Sequence, residues 1–177
     1  NGWVDLMPMI DVKQDALSGR WVKIKDGLKL VYPNGTKHLL IPLAIEGSYE
    51  LRFTFHRNGG SRYQGLNVRL PIGQARGALV LGQTKRYGIG INGIRGLGSI
   101  STENPTGQRD FPVAPEVLHD VLISIFADAN VHVTVTFDGQ KQIDWIGNEA
   151  DIRMADSETG VTLPTGPFLI LSGQGNN

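Results

Sequence analysis

The chain runs to 177 residues, 40% hydrophobic and 19% charged, enough for one domain with a substantial core and too few for two. It contains no cysteine, which excludes disulfides, thiolate metal sites and a cysteine nucleophile, and no stretch approaches the ~20 apolar residues of a membrane span. Lys plus Arg and Asp plus Glu both number 17, and zero net charge argues against a nucleic-acid surface.

In chain order, Trp21–Lys25 and Leu28–Tyr32 flank Asp26-Gly27 and read as a hairpin. Pro33-Asn34-Gly35 is a turn before a strand at His38–Ile45. Tyr49–Arg57 is the clearest strand: Tyr49, Leu51, Phe53 and Phe55 alternate with Glu50, Arg52, Thr54 and His56, the period-2 pattern of a half-buried strand. Leu66–Leu70 repeats it, with Asn67 and Arg69 on the polar side. Ala78–Gly82 is apolar on both faces, and Tyr87–Ile91 sets Tyr87, Ile89 and Ile91 against the bare Gly88 and Gly90. Val117–Ile125 has helical spacing, but its β-branched residues and direct entry into the next strand make Val121–Phe126 a strand. Val131–Phe137 and Gln140–Trp145 flank Asp138-Gly139 as a second hairpin, and Phe168–Ser172 is a late strand. Short strands separated by glycine-rich turns predict one all-β domain over 1–177: a two-sheet antiparallel sandwich of jelly-roll, concanavalin A-like type. A start at Asn1 without a basic-then-apolar leader suits a module of a longer polypeptide, with a secreted or cell-surface setting favoured.

Trp3-Val4-Asp5-Leu6, Ser18-Gly19-Arg20-Trp21, the strand Tyr49–Phe55 and the hairpin Val133–Trp145 are arranged as in concanavalin A-like, laminin-G-like modules. The chain most resembles bacterial modules akin to the 3-keto-disaccharide hydrolase-like family, from Trp3 to about Ser172. The resemblance implies a jelly roll and a saccharide-related role. It carries over no catalytic residue, because the glutamine and acidic residues of those hydrolases have no counterpart in the middle of this chain.

Charge is unevenly placed. Leu51–Thr102 holds eight basic residues and no carboxylate, whereas Glu103–Asn177 holds three basic and eleven acidic residues. Either the two segments neutralise each other as neighbouring strands, or the central strands offer a cationic face to an anionic ligand. Candidate chemistry is sparse. A glycosidase needs two carboxylates across the scissile bond, and the one alternating pair, Glu149 and Asp151, reads as a solvated turn. His38, His56, His119 and His132 are scattered, three of them on exposed faces or turns, without metal-ligand spacing. Asp138, Asp151 and Asp156 leave calcium conceivable but without ligand spacing, and no cofactor is expected. Gly88–Gly93 lacks the helix that a dinucleotide fingerprint requires.

What remains is a surface. Arg52, Thr54, His56, Asn67 and Arg69 with Gly88 and Gly90 would line one polar face if their strands pair nearby. Tyr63 or Trp145 would stack on a sugar, and the glycines would leave room for it. The leading expectation is a non-catalytic carbohydrate-binding module using the concave sheet face, with anionic glycan as one option. The alternatives are a keto-disaccharide hydrolase-like enzyme, or an assembly module whose edge strands pair with a protein partner or with other domains of the same polypeptide.

Overall fold

The computed structural model describes residues 2–31, 35–57, 65–82, 88–111, 113–154 and 161–175. Tyr63 and Asp156 lie outside the described residues, as do Tyr87 and most of the turn at Pro33-Asn34-Gly35. Twelve strands in three antiparallel sheets carry the described fold, with single 3-10 turns at Met7–Met9 and Glu149–Asp151.

The first hairpin joins β1 (Arg20–Ile24) to β2 (Gly27–Val31). A four-stranded sheet runs β11 (Gln140–Gly147), β10 (Val131–Phe137), β9 (His119–Ala127) and β4 (Tyr49–Phe55). A six-stranded sheet runs β3 (Gly35–Ala44), β12 (Phe168–Gly175), β5 (Gly65–Ile72), β6 (Ala75–Leu81), β7 (Gly88–Asn92) and β8 (Gln108–Arg109). The predicted strands all lie within these elements or overlap them. The apolar run of the segment with helical spacing lies in strand β9, because Val121, Ile123 and Ile125 gain continuous partners in Phe137, Val135 and Val133 of β10.

One core cluster draws on both large sheets and on the hairpin. Val68, Leu70, Leu79, Leu81, Ile89 and Ile91 from one side meet Val121, Ile123, Ile125, Val133 and Val135 from the other, all of them 0% exposed. Each such side chain contributes about 1.5–3 kcal/mol by leaving water. Trp21, Leu28 and Leu30 close one part of the cluster from β1 and β2. Across the sandwich, the Tyr49 hydroxyl donates to the carbonyl of Pro71 at 2.9 Å, and burial raises its pKa.

The inner face of β4 follows the alternation, but Tyr49, Leu51, Phe53 and Phe55 are only half-buried, because β4 ends its sheet. At the β10–β11 turn Asp138 and Gly139 both take positive φ, 49° and 76°, as a tight turn matched to strand twist requires.

Candidate functional site

Alternation along the four-stranded sheet turns a second set of side chains outward, and cross-strand register arranges them in rows. Ile146, His132 and Phe126 form one row, Asp144, Thr134, Ser124 and Glu50 the next, and Thr136, Leu122 and Arg52 a third. Thr54 lies opposite Asp120 beyond them. Directly paired residues hold their Cβ atoms about 4.5–5.5 Å apart, so each row is a continuous strip.

This face is open. Phe126 is 52% and Ile146 66% exposed, and the Phe126 and His132 rings sit 6.4 Å apart at 37°. His132 Nε2 lies 2.7 Å from Asp144 Oδ1, and Lys141 pairs with the other oxygen of the same carboxylate. The hydrogen bond from Lys141 first, and that from His132 second, hold the Asp144 pKa below the usual carboxylate range. Ser124 donates to Glu50 Oε1 at 2.9 Å. Arg52 donates to Asp120 through Nε at 3.0 Å and Nη2 at 3.2 Å. On this face, then, neighbouring strands neutralise each other: the central arginine is met by a carboxylate from the acidic last third.

The residues singled out in the sequence fall into separate places. Arg52 and Thr54 lie on the open face, and His56 follows β4 and is exposed. Asn67 and Arg69 belong to the other sheet. They alternate with the core residues Val68 and Leu70 and so face away from the core, beside Ser172 and Ile170 of β12. Polar outward residues there are not wet: Arg69 is 3%, Ser172 1% and His38 2% exposed, with His38 Nδ1 2.8 Å from Ser172 Oγ.

Gly88 and Gly90 do leave room, but the chain itself fills it. A Cβ at Gly90 would collide with the Ser99 carbonyl, and one at Gly88 with Ile100. Asn104 and Thr106 pin this loop to β7: Asn104 Nδ2 donates to Ile91 O and Thr106 Oγ1 accepts from Ile91 N, both at 2.9 Å. Trp145 is 8% exposed and packs in the core, since its place opposite Val133 turns it inward.

One further expectation needs correction. Only His56 and His132 of the four histidines have surface exposure; His38 and His119 are buried. His119 is enclosed by Phe55 and Phe137, with Nδ1 2.8 Å from Asp138 Oδ2 and Nε2 3.0 Å from Ala114 O. Glu149 and Asp151 serve the backbone: Glu149 accepts from the Gln74 amide at 2.8 Å, and Asp151 from the Asn148 amide at 3.3 Å. An open cleft of about 500 Å³ lies where these loops meet, lined by Glu46, Gln74, Arg76, Asp128, Glu149 and Pro167. Among the described residues no group of three or more His, Asp or Glu side chains is placed to hold a metal ion, and no helix is long and apolar enough to cross a membrane.

Sequence reasoning missed Phe126, Asp144 and Ser124 as members of one surface. The signal was present for Phe126: it breaks phase with Val121, Ile123 and Ile125, which places it outside the core.

No protein-family model matches the chain, and no curated protein matches it. Solved structures do. The carbohydrate recognition domain of Emp46p superposes with a TM-score of 0.56 at 14% identity, over 86% of this chain and 79% of that one. For the carbohydrate recognition domain of Emp47p the values are 0.54 and 9%, over 97% and 85%. The carbohydrate-binding module CBM66 from Bacillus subtilis gives 0.52 and 9%, over 89% and 84%. None of these likenesses reaches the narrower resemblance to keto-disaccharide hydrolases. They agree on architecture: the chain shares the antiparallel β-sandwich fold of these domains.

Proposed function

We propose that the chain is a non-catalytic carbohydrate-recognition module that binds neutral glycan on the outer face of its four-stranded sheet. Its fold is shared with domains whose names record carbohydrate binding. The observation that carries the reading is the exposed Phe126–His132 ring pair, set on paired strands and bordered by hydrogen-bonding groups. The C–H face of a sugar ring is apolar and slightly positive, and an aromatic face is slightly negative, so the two stack. Beside the rings, the Asp144 and Glu50 carboxylates accept from sugar hydroxyls, while Thr134 and Thr136 both donate and accept. Arg52, Thr54 and His56 form the margin of this platform.

Neutral rather than anionic sugar follows from the ion pairs. Arg52, Lys141 and His132 each already face a carboxylate, so the platform has no excess positive charge to offer a uronic acid. Titration calorimetry against paired neutral and uronic-acid oligosaccharides tests this. The expected result is binding of a neutral sugar that is insensitive to a ~tenfold rise in ionic strength. Preference for the uronic acid, with affinity falling as salt rises, would overturn it.

A further inference from the structure

A sheet edge presents unpaired amides and carbonyls that recruit another strand unless something blocks them. Most edges of this fold are blocked. Along β3 lies the segment at Asp15–Ser18, whose Leu17 and Ser18 amides donate to His38 O at 3.0 and 3.2 Å while Leu40 donates to Asp15 O at 2.9 Å. β8 is two residues long. β11 has a register shift opposite Val135 and Thr136, carries Lys141, and accepts a hydrogen bond at Gln142 O from the Gln108 side chain. The hairpin strands are five residues each and carry Lys23 and Lys29.

β4 has none of these devices. It is seven residues long, without Pro, Gly or Lys, and pairs with β9 without a shift from Tyr49↔Ile125 to Phe55↔His119. Among the described residues only β9 pairs with it, and no other backbone group bonds to it. Its inner row, Tyr49, Leu51, Phe53 and Phe55, is half-buried beside the fully buried Val121, Ile123 and Ile125. The edge keeps an unshifted register, is apolar on its inner side and, among the described residues, carries no strand on its other side.

We propose that β4 pairs antiparallel with β4 of a second copy about a two-fold axis at Leu51, joining two four-stranded sheets into one. Directly opposite residues of an antiparallel pair share a face, so the axis must pass through a residue for core faces to match. At Leu51 it sets Glu50 against Arg52 of the second copy, twice by symmetry, and Tyr49 against Phe53. Moved to Arg52 or Glu50, it sets like charges against each other, which destabilises a pair. Moved to Phe53, it brings Tyr49 against Arg57, whose carbonyl is taken by the Glu116 amide at 2.9 Å. Arg52 uses Nε and Nη2 for Asp120, and Nη1 takes no part in that pair. The dimer would set two sugar platforms side by side, which raises avidity without new contacts.

Sedimentation equilibrium of the whole chain tests the dimer, and a charge swap tests the register. Wild type is expected at twice its 19.3 kDa. Glu50→Arg sets arginine against arginine and Arg52→Glu sets glutamate against glutamate, so each alone is expected as a monomer. Their equimolar mixture sets arginine against glutamate at both positions and is expected to return to dimer, with far-ultraviolet circular dichroism unchanged throughout. Wild type that stays monomeric up to its solubility limit would overturn the proposal. So would a dimer indifferent to either substitution. Should a variant fail to fold, the mass of the wild type still decides against or for pairing, and sugar binding by a monomer would leave the proposed function standing alone.

Discussion

Arg52 in β4 grips Asp120 in β9 with two parallel hydrogen bonds, 3.0 and 3.2 Å long, tying the carboxylate-free middle of the chain to its acidic last third. The two side chains are 62% and 37% exposed, so solvent screens the pair and it adds little to stability. Asp120→Asn is expected to change unfolding free energy by no more than about 1 kcal/mol in urea titrations. A loss of several kcal/mol would mean that the pair is far less hydrated than its exposure indicates.

Ile125 and Phe126 are sequence neighbours on opposite faces, 0% and 52% exposed. Ile125→Ala removes core contacts and leaves a cavity, at a cost of about 2–5 kcal/mol. Phe126→Ala touches only the open face and is expected to stay within about 0.5 kcal/mol of wild type. Equal losses in parallel denaturation curves would refute the assignment of faces.

Gly90 has the Ser99 carbonyl where a side chain would go. Gly90→Ala is therefore expected to unseat the loop held by Asn104 and Thr106, at a cost of about 1–3 kcal/mol, with faster amide exchange at Ile91. If the variant is as stable as wild type, the space over β7 is free, and a ligand site there regains its basis.

Acid should loosen the β10–β11 turn. Burial raises the Asp138 pKa, but the hydrogen bond from His119, the one from the Asp120 amide and the His119 charge together lower it. A carboxylate with a depressed folded-state pKa stabilises the fold above its unfolded pKa, about 3.9, and loses that contribution as pH falls through the folded value. Asp138→Asn should be less stable than wild type at pH 7, and the gap should close below about pH 4. A gap that is constant across that range would show that the ionised carboxylate contributes nothing.

Much of the fold was legible because period-2 alternation survives in single strands: Tyr49–Phe55 and Val131–Phe137 announce their inner and outer faces residue by residue. Pairing between distant strands leaves no such local trace. Nothing in Asn67 and Arg69 tells that β5 joins β12 and β6 rather than β4, so a polar face was assembled from two different sheets. Nor does Gly88-Ile89-Gly90 reveal that a loop ten residues onward packs on its bare side, since glycine makes room equally for a ligand or for backbone. The charge asymmetry was visible, and its meaning on β4 depended on β9 lying alongside.

Sugar binding by wild type and by Phe126→Ala, measured on one panel of neutral oligosaccharides alongside their melting curves, decides whether the four-stranded sheet carries a glycan platform. The exposed ring is expected to supply most of the stacking, so Phe126→Ala should weaken binding at least tenfold while the melting temperature stays unchanged. No binding by wild type to any neutral sugar, or equal binding by the variant, would contradict a glycan platform on the four-stranded sheet.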